Sequence, residues 1–156
     1  MYHFSADSMT QLATCHRLLV MLCTQAIEIV DFKVVFGQRT LAEQKQLVRL
    51  GFSKTMKSYH LNQPKSLAVD LHPCVEGNPI DLIQSASVYN PYFYFMAGVI
   101  KGLAYKLNIP IVWGGDWNKD GNFRNNKFND LFHFQLDYET CIKRQIMLPN
   151  EVNFPQ

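Results

Sequence analysis

Two histidines and two aspartates carry the chemistry most easily read from this sequence: His60 and Asp70, then Asp130 and His133. Imidazole nitrogens and carboxylate oxygens are common ligands of a catalytic zinc ion, which takes three protein ligands and keeps a fourth position open. Hydrolysis at such a centre also needs a free carboxylate to accept the proton of the attacking water. His60, Asp70 and His133 as ligands, with Asp130 as base, make a complete inventory. No HExxH helix pattern occurs, so the ligands would come from loops and strands. The same residues also read as hydrogen-bonded structural histidines, and as aspartates that cap a turn or pair with an arginine. Asp70, His72 and Cys74 are a rival ligand set, because alternate residues of a strand share a face. Pro73 speaks against a regular strand there, and a thiolate ligand would favour a closed structural site.

The elements that must position these residues follow from periodicity. Ser8 and Gln11 fit a capping box, and Leu12, Cys15, Leu19, Leu22, Ala26, Ile27 and Val30 recur at helical spacing, predicting one long first helix. "FKVVF" (32–36) reads as a strand. Thr40 and Glu43 form a second capping box for a helix over 41–50 that Gly51 ends. Residues 52–66 read as a polar loop and "LAVDL" (67–71) as a strand. Asn90-Pro91 opens another helix, with Phe95, Met96, Val99, Ile100, Leu103 and Leu107 as its buried stripe. "IPIVWG" (109–114) and "LFHFQL" (131–136) are the last strands. This order predicts an α+β fold, a small, mostly antiparallel sheet flanked by helices, with 1–156 as a single domain.

Between the last two strands lies "GDWNKDGNFRNNKFND", long enough to suggest function. Asp116, Asn118 and Asp120 alternate before Gly121, as in the first half of a calcium loop, but Lys127 stands where an EF-hand needs glutamate. A partial calcium site or an Asx-rich turn both fit. Trp117, in this polar loop, reads as a substrate contact.

Bulk properties exclude several classes. With 47% hydrophobic and 18% charged residues the chain is globular rather than disordered. A net charge of +2 with scattered Lys and Arg gives no basic face for nucleic acid. The four cysteines contain no CxxC pair, which excludes a zinc finger or a thioredoxin motif, and Cys15 and Cys23, eight apart on a helical pattern, read as small core residues in a reducing compartment. No apolar run reaches the length of a membrane span, and the first residues lack a secretory signal. A soluble, monomeric product of the cytoplasm is expected.

The ordered motifs Ser58-Tyr59-His60, Ala68-Val69-Asp70 and Asp130-Leu131-Phe132-His133, with "GQRT" (37–40), resemble the zinc peptidases that include D-alanyl-D-alanine carboxypeptidases and phage L-alanyl-D-glutamate endolysins, and that share a core with hedgehog domains. "WGGDW" (113–117) and "HFQL" (133–136) look like the endolysin branch. The resemblance implies that His60, Asp70 and His133 bind zinc and that Asp130 is the general base. It implies that Arg39 orients substrate or stabilises an oxyanion, and that Ser58 supports the site or contacts substrate. It implies a peptidoglycan stem peptide as substrate, cut between L-alanine and D-glutamate by an enzyme made in the infected bacterial cell and acting on the wall after release. A D-alanyl-D-alanine carboxypeptidase, or a non-catalytic metal-stabilised binding module, are the alternatives. The loop between His60 and Asp70 is longer than is usual in the family.

Overall fold

The computed structural model describes residues 1–80 and 90–155. The N-terminal apolar repeat folds as two helices rather than one, α1 (Ala6–Leu12) and α2 (Arg17–Ala26). The cap is Ser5 and not Ser8; the Ser8 hydroxyl is buried and accepts from the Val34 N–H at 3.1 Å. The break has a tertiary cause. The His16 N–H donates to the Ser66 carbonyl at 2.8 Å and the Ser66 N–H to the Thr14 carbonyl at 3.0 Å, so this stretch pairs with the chain entering the sheet. His16 then restarts the helix, its Nδ1 accepting from the Leu18 N–H. Leu12, Cys15, Leu19, Leu22 and Ala26 reach the core on both sides of the break.

The sheet is antiparallel throughout. Its order is β1 (Phe32–Phe36), β2 (Ala68–Val75), β5 (His133–Leu136), β4 (Ile111–Trp113), with the short β3 (Asn78–Pro79) on the far end of β2. β2 runs straight through Pro73, against expectation. Leu71 donates its N–H to Phe132, just before β5, so Pro73, two residues on, points its missing N–H beyond the end of β5 where no ladder partner is lost.

Helix α3 (Leu41–Arg49) has the Thr40–Glu43 capping box, and Gly51 follows it with φ +80°, the left-handed conformation that glycine adopts without strain. Helix α4 (Pro91–Lys106) starts at Asn90-Pro91 as expected. Its buried stripe is Phe93, Met96, Ala97, Ile100 and Ala104, while Phe95 is exposed and Val99, Leu103 and Leu107 are partly buried. A short helix α5 (Tyr138–Lys143) follows β5.

Alternation divides the sheet. Phe32, Val34, Val69, Leu71, Phe134 and Leu136 point into one core shared with α2 and α4. The opposite face carries Lys33, Asp70, His72, His133 and Gln135 into a cleft. No helix among the described residues is long and apolar enough to cross a membrane. Cys15, Cys23, Cys74 and Cys141 are free, and all but Cys74 are buried.

Candidate metal centre

Asp70 and His133 are directly opposite one another in the β2–β5 ladder, so their side chains rise from the same face of the sheet. His60 arrives from outside, on a 3-10 turn (Tyr59–Leu61) that Ser58 caps by accepting from the His60 N–H. Its Nδ1 lies 2.5 Å from the Gly37 carbonyl, which can only accept, so the proton sits on Nδ1 and Nε2 presents a lone pair. His133 is set the other way round. Its Nε2 donates to Gln135 Oε1 at 2.9 Å, leaving the Nδ1 lone pair to face inward.

Three donor atoms therefore meet. His60 Nε2 and His133 Nδ1 are each 3.1 Å from Asp70 Oδ1 and 3.3 Å from one another. A tetrahedral ion bound at about 2.0–2.1 Å would set its ligands about 3.3 Å apart, so the triangle fits a zinc-sized cation. This is the one such cluster of His, Cys, Asp or Glu among the described residues. The longer His60–Asp70 loop thus brings its histidine to the triangle. The rival set does not form. The β2 strand continues as that set required, but His72 Nε2 lies 2.9 Å from the Ile80 carbonyl and the Cys74 thiol points to the His72 carbonyl.

The electrostatics describe a site short of positive charge. Burial lowers the His60 pKa, with Asp70 opposing it. Burial would raise the Asp70 carboxyl, but His60 and His133 outweigh it and hold Asp70 well below the usual carboxylate range. Burial would lower His133, yet the hydrogen bond and charge of Asp70 push it up.

Arg39 stands behind the triangle. Its guanidinium donates to Asp70 Oδ2, the carboxylate oxygen that is turned away from the histidines, and its backbone N–H holds the His60 carbonyl at 2.9 Å. Gln44 of α3 accepts from its other nitrogen at 3.4 Å. Asp130 lines the same cleft, and its carboxyl is raised above its usual pKa by burial and by the Asp70 charge, against His133 and Arg39. Its backbone is pinned on both sides, N–H to the Gly114 carbonyl at 2.9 Å and carbonyl to the His133 N–H at 3.1 Å. A Cβ on Gly114 would collide with the Asp130 carbonyl, so glycine is required for this approach. Trp117 forms part of the cleft wall, its ring 5.4 Å from that of His133 and its Nε1 donating to Phe128. Ser58 also lines the cleft, which encloses about 800 Å³.

The loop for which a partial calcium site and an Asx-rich turn both fit is knit by protein side chains. Asp116 is buried and takes Lys101 at 2.6 Å and the Gly121 N–H at 3.2 Å. Asn118 donates its amide to Asp120, which also accepts from Asn122 and Asn125. The Asp116 and Asp120 oxygens are taken by protein donors, which is the bonding of an Asx-rich turn.

Reading residues one at a time missed Gly37, Gln135 and Gly114. Gly37 must be glycine because a Cβ there would strike Thr14 and the Gln11 carbonyl. Gln135 carried a usable signal, since two residues beyond a ligand on a strand places it on the same face.

A ligand triangle on a small antiparallel sheet, open to a cleft that a half-buried carboxylate also lines, defines the class: an α+β protein with a metallopeptidase-type centre. The chain belongs to the phage L-alanyl-D-glutamate peptidase family, whose model matches residues 1–136. Among solved structures it is similar to the L-Ala D-Glu endopeptidase ChiX of Serratia marcescens, at 28% identity and a TM-score of 0.69, over 89% of this chain and 93% of that one. No curated protein matches the sequence.

Proposed function

We propose that this chain is a zinc-dependent peptidase that hydrolyses the bond between L-alanine and D-glutamate in the peptidoglycan stem, in the manner of a phage endolysin. The observation that carries this reading is the His60–Asp70–His133 triangle, with edges of 3.1, 3.1 and 3.3 Å, sharing its cleft with the half-buried Asp130. Family membership supplies the substrate class.

Zinc held by these three residues would supply Lewis acidity toward the scissile carbonyl and make water acidic near neutral pH. The remaining work falls to the chain. Asp130 accepts the proton of the attacking water and passes it to the departing amine of the glutamyl residue. A carboxyl raised by burial is a stronger base than an exposed one and suits both transfers. Arg39 fixes the orientation of Asp70 through its second oxygen, so that Oδ1 stays aimed between the histidines. Ser58 holds the turn that carries His60, and Trp117 walls the cleft where the peptide lies.

Mass spectrometry of digested muropeptides tests the reading. Fragments with a new glutamyl amine are expected; release of terminal D-alanine instead would make the chain a carboxypeptidase, and no new amine would leave a binding module. Asp130→Asn should keep about one zinc per chain and lose roughly 10²–10⁴ in turnover. An active Asp130→Asn variant would remove Asp130 as the base.

A further inference from the structure

Lys33 stands on the floor of the cleft, and neither metal binding nor proton transfer uses it. In the β1–β2 ladder it is directly opposite His72, and His72 is two residues along β2 from Asp70. Opposed residues of antiparallel strands share a face, so Lys33 rises from the same surface as the ligands. It is one strand over and two residues along from Asp70, about 8 Å between backbones at ordinary sheet spacings. A lysine side chain spans much of that distance. The residue is partly buried, and its ammonium has no ion pair or side-chain hydrogen bond among the described residues. Arg39, by contrast, is already engaged by Asp70. Lys54 and Lys57 also line the cleft, on an exposed stretch at its mouth, and add attraction for an anion.

The ligand follows from the proposed substrate, on which this inference rests. A glutamyl residue on the amine side of the scissile bond has two carboxyl groups. One carries the peptide onward; the other is left free, a few bonds from the scissile nitrogen. We propose that Lys33 binds this unlinked carboxylate and makes the cleft selective for stem peptides in which that group is not amidated. The lysine is then a specificity residue for the substrate, separate from the ligands and the base.

Two synthetic tripeptides decide it, L-alanyl-D-glutamyl-L-lysine with the unlinked glutamyl carboxyl free or converted to a carboxamide. With zinc-loaded protein the free form should show a KM roughly tenfold to hundredfold below the amide, the range of a hydrogen bond to a charged group. Lys33→Met should erase that ratio while leaving kcat on the amide form unchanged, and Lys33→Arg should keep most of it. Equal KM values for the two peptides in the unmodified protein, or an unchanged ratio in Lys33→Met, overturn the assignment and leave the peptidase reading standing. Cleavage of neither peptide removes the peptidase reading. Calorimetric binding of the same two peptides then still reads Lys33: a preference for the free form that Lys33→Met abolishes supports it, and equal affinities overturn it.

Discussion

The two halves of the candidate metal centre are built by different means. Asp70 and His133 sit across from one another in a hydrogen-bonded ladder, so the sheet that forms the core also sets the distance between them. His60 has no strand beneath it. Its place depends on the Gly37 carbonyl at Nδ1, the Ser58 hydroxyl at its N–H and the Arg39 N–H at its carbonyl. The ladder half is fixed by folding itself, whereas the loop half is fixed by three local contacts that substitutions can remove singly. A loop longer than the family norm is tolerated for this reason, since the contacts act at its end and not along its length.

The largest effect should come from breaking the ladder half at its charge. Asp70→Ala removes a ligand and leaves the Arg39 guanidinium, with a side chain 11% exposed, facing no carboxylate. Loss of zinc and of about 3–5 kcal/mol in unfolding free energy is expected, read by metal analysis and denaturant titration. Stability unchanged in the metal-free variant would show that Arg39 finds water instead.

Gly37→Ala attacks the loop half alone. The new methyl meets the Thr14 side chain and the Gln11 backbone, so the Gly37 carbonyl must move off His60. Overpacking of this kind destabilises by about 1–3 kcal/mol. Chelator competition should show weakened zinc binding, while amide exchange across β2 and β5 stays slow. If exchange in those strands rises as well, the halves are not independent. Gln135→Ala is the matching change in the ladder half: it removes the acceptor at His133 Nε2 and frees the ring to flip. Loss of an orienting partner costs about 10–100-fold in metal affinity, with little change in the fold. A loss as large as that of Gly37→Ala would reverse the contrast between the halves.

What could be read from the sequence divides along the same line. Features decided within a few residues were legible: the Thr40–Glu43 box, the Asn90-Pro91 helix start and the alternation that puts Asp70 and His133 on a strand face. Features decided by distant pairing were not. The helix break at His16 is caused by Ser66, and the passage of β2 through Pro73 by where β5 ends. In α4 the run Tyr92, Phe93, Tyr94, Phe95 is aromatic on every side, so hydropathy could not phase the helix, and Phe93 rather than Phe95 is inside. Asp116 looked like an ion ligand because its partner, Lys101, lies on another element. The ligand set itself was legible only through motif order, since no spacing announces that a loop histidine will reach two strand residues.

The smallest effect should come from the edge of the loop half, at α3, whose Gln44 braces Arg39. The Glu43 carboxylate accepts from the Thr40 N–H at 2.7 Å and from its hydroxyl at 2.9 Å. The backbone bond first, then the hydroxyl, lowers the Glu43 pKa below its ordinary value. A carboxylate with a depressed folded-state pKa contributes stability above its unfolded pKa, about 4.3, and loses it as pH falls through the folded value. Glu43→Gln keeps an acceptor for both donors and removes only the charge. The metal-free variant should therefore melt slightly below the unmodified chain at pH 7, by less than about 1 kcal/mol, and the gap should close as the pH falls below about 4. A gap that persists unchanged in acid would assign the effect to side-chain geometry rather than charge. A change in zinc affinity at pH 7 would mean that α3 reaches the metal through Gln44 and Arg39, extending the loop half by a whole helix.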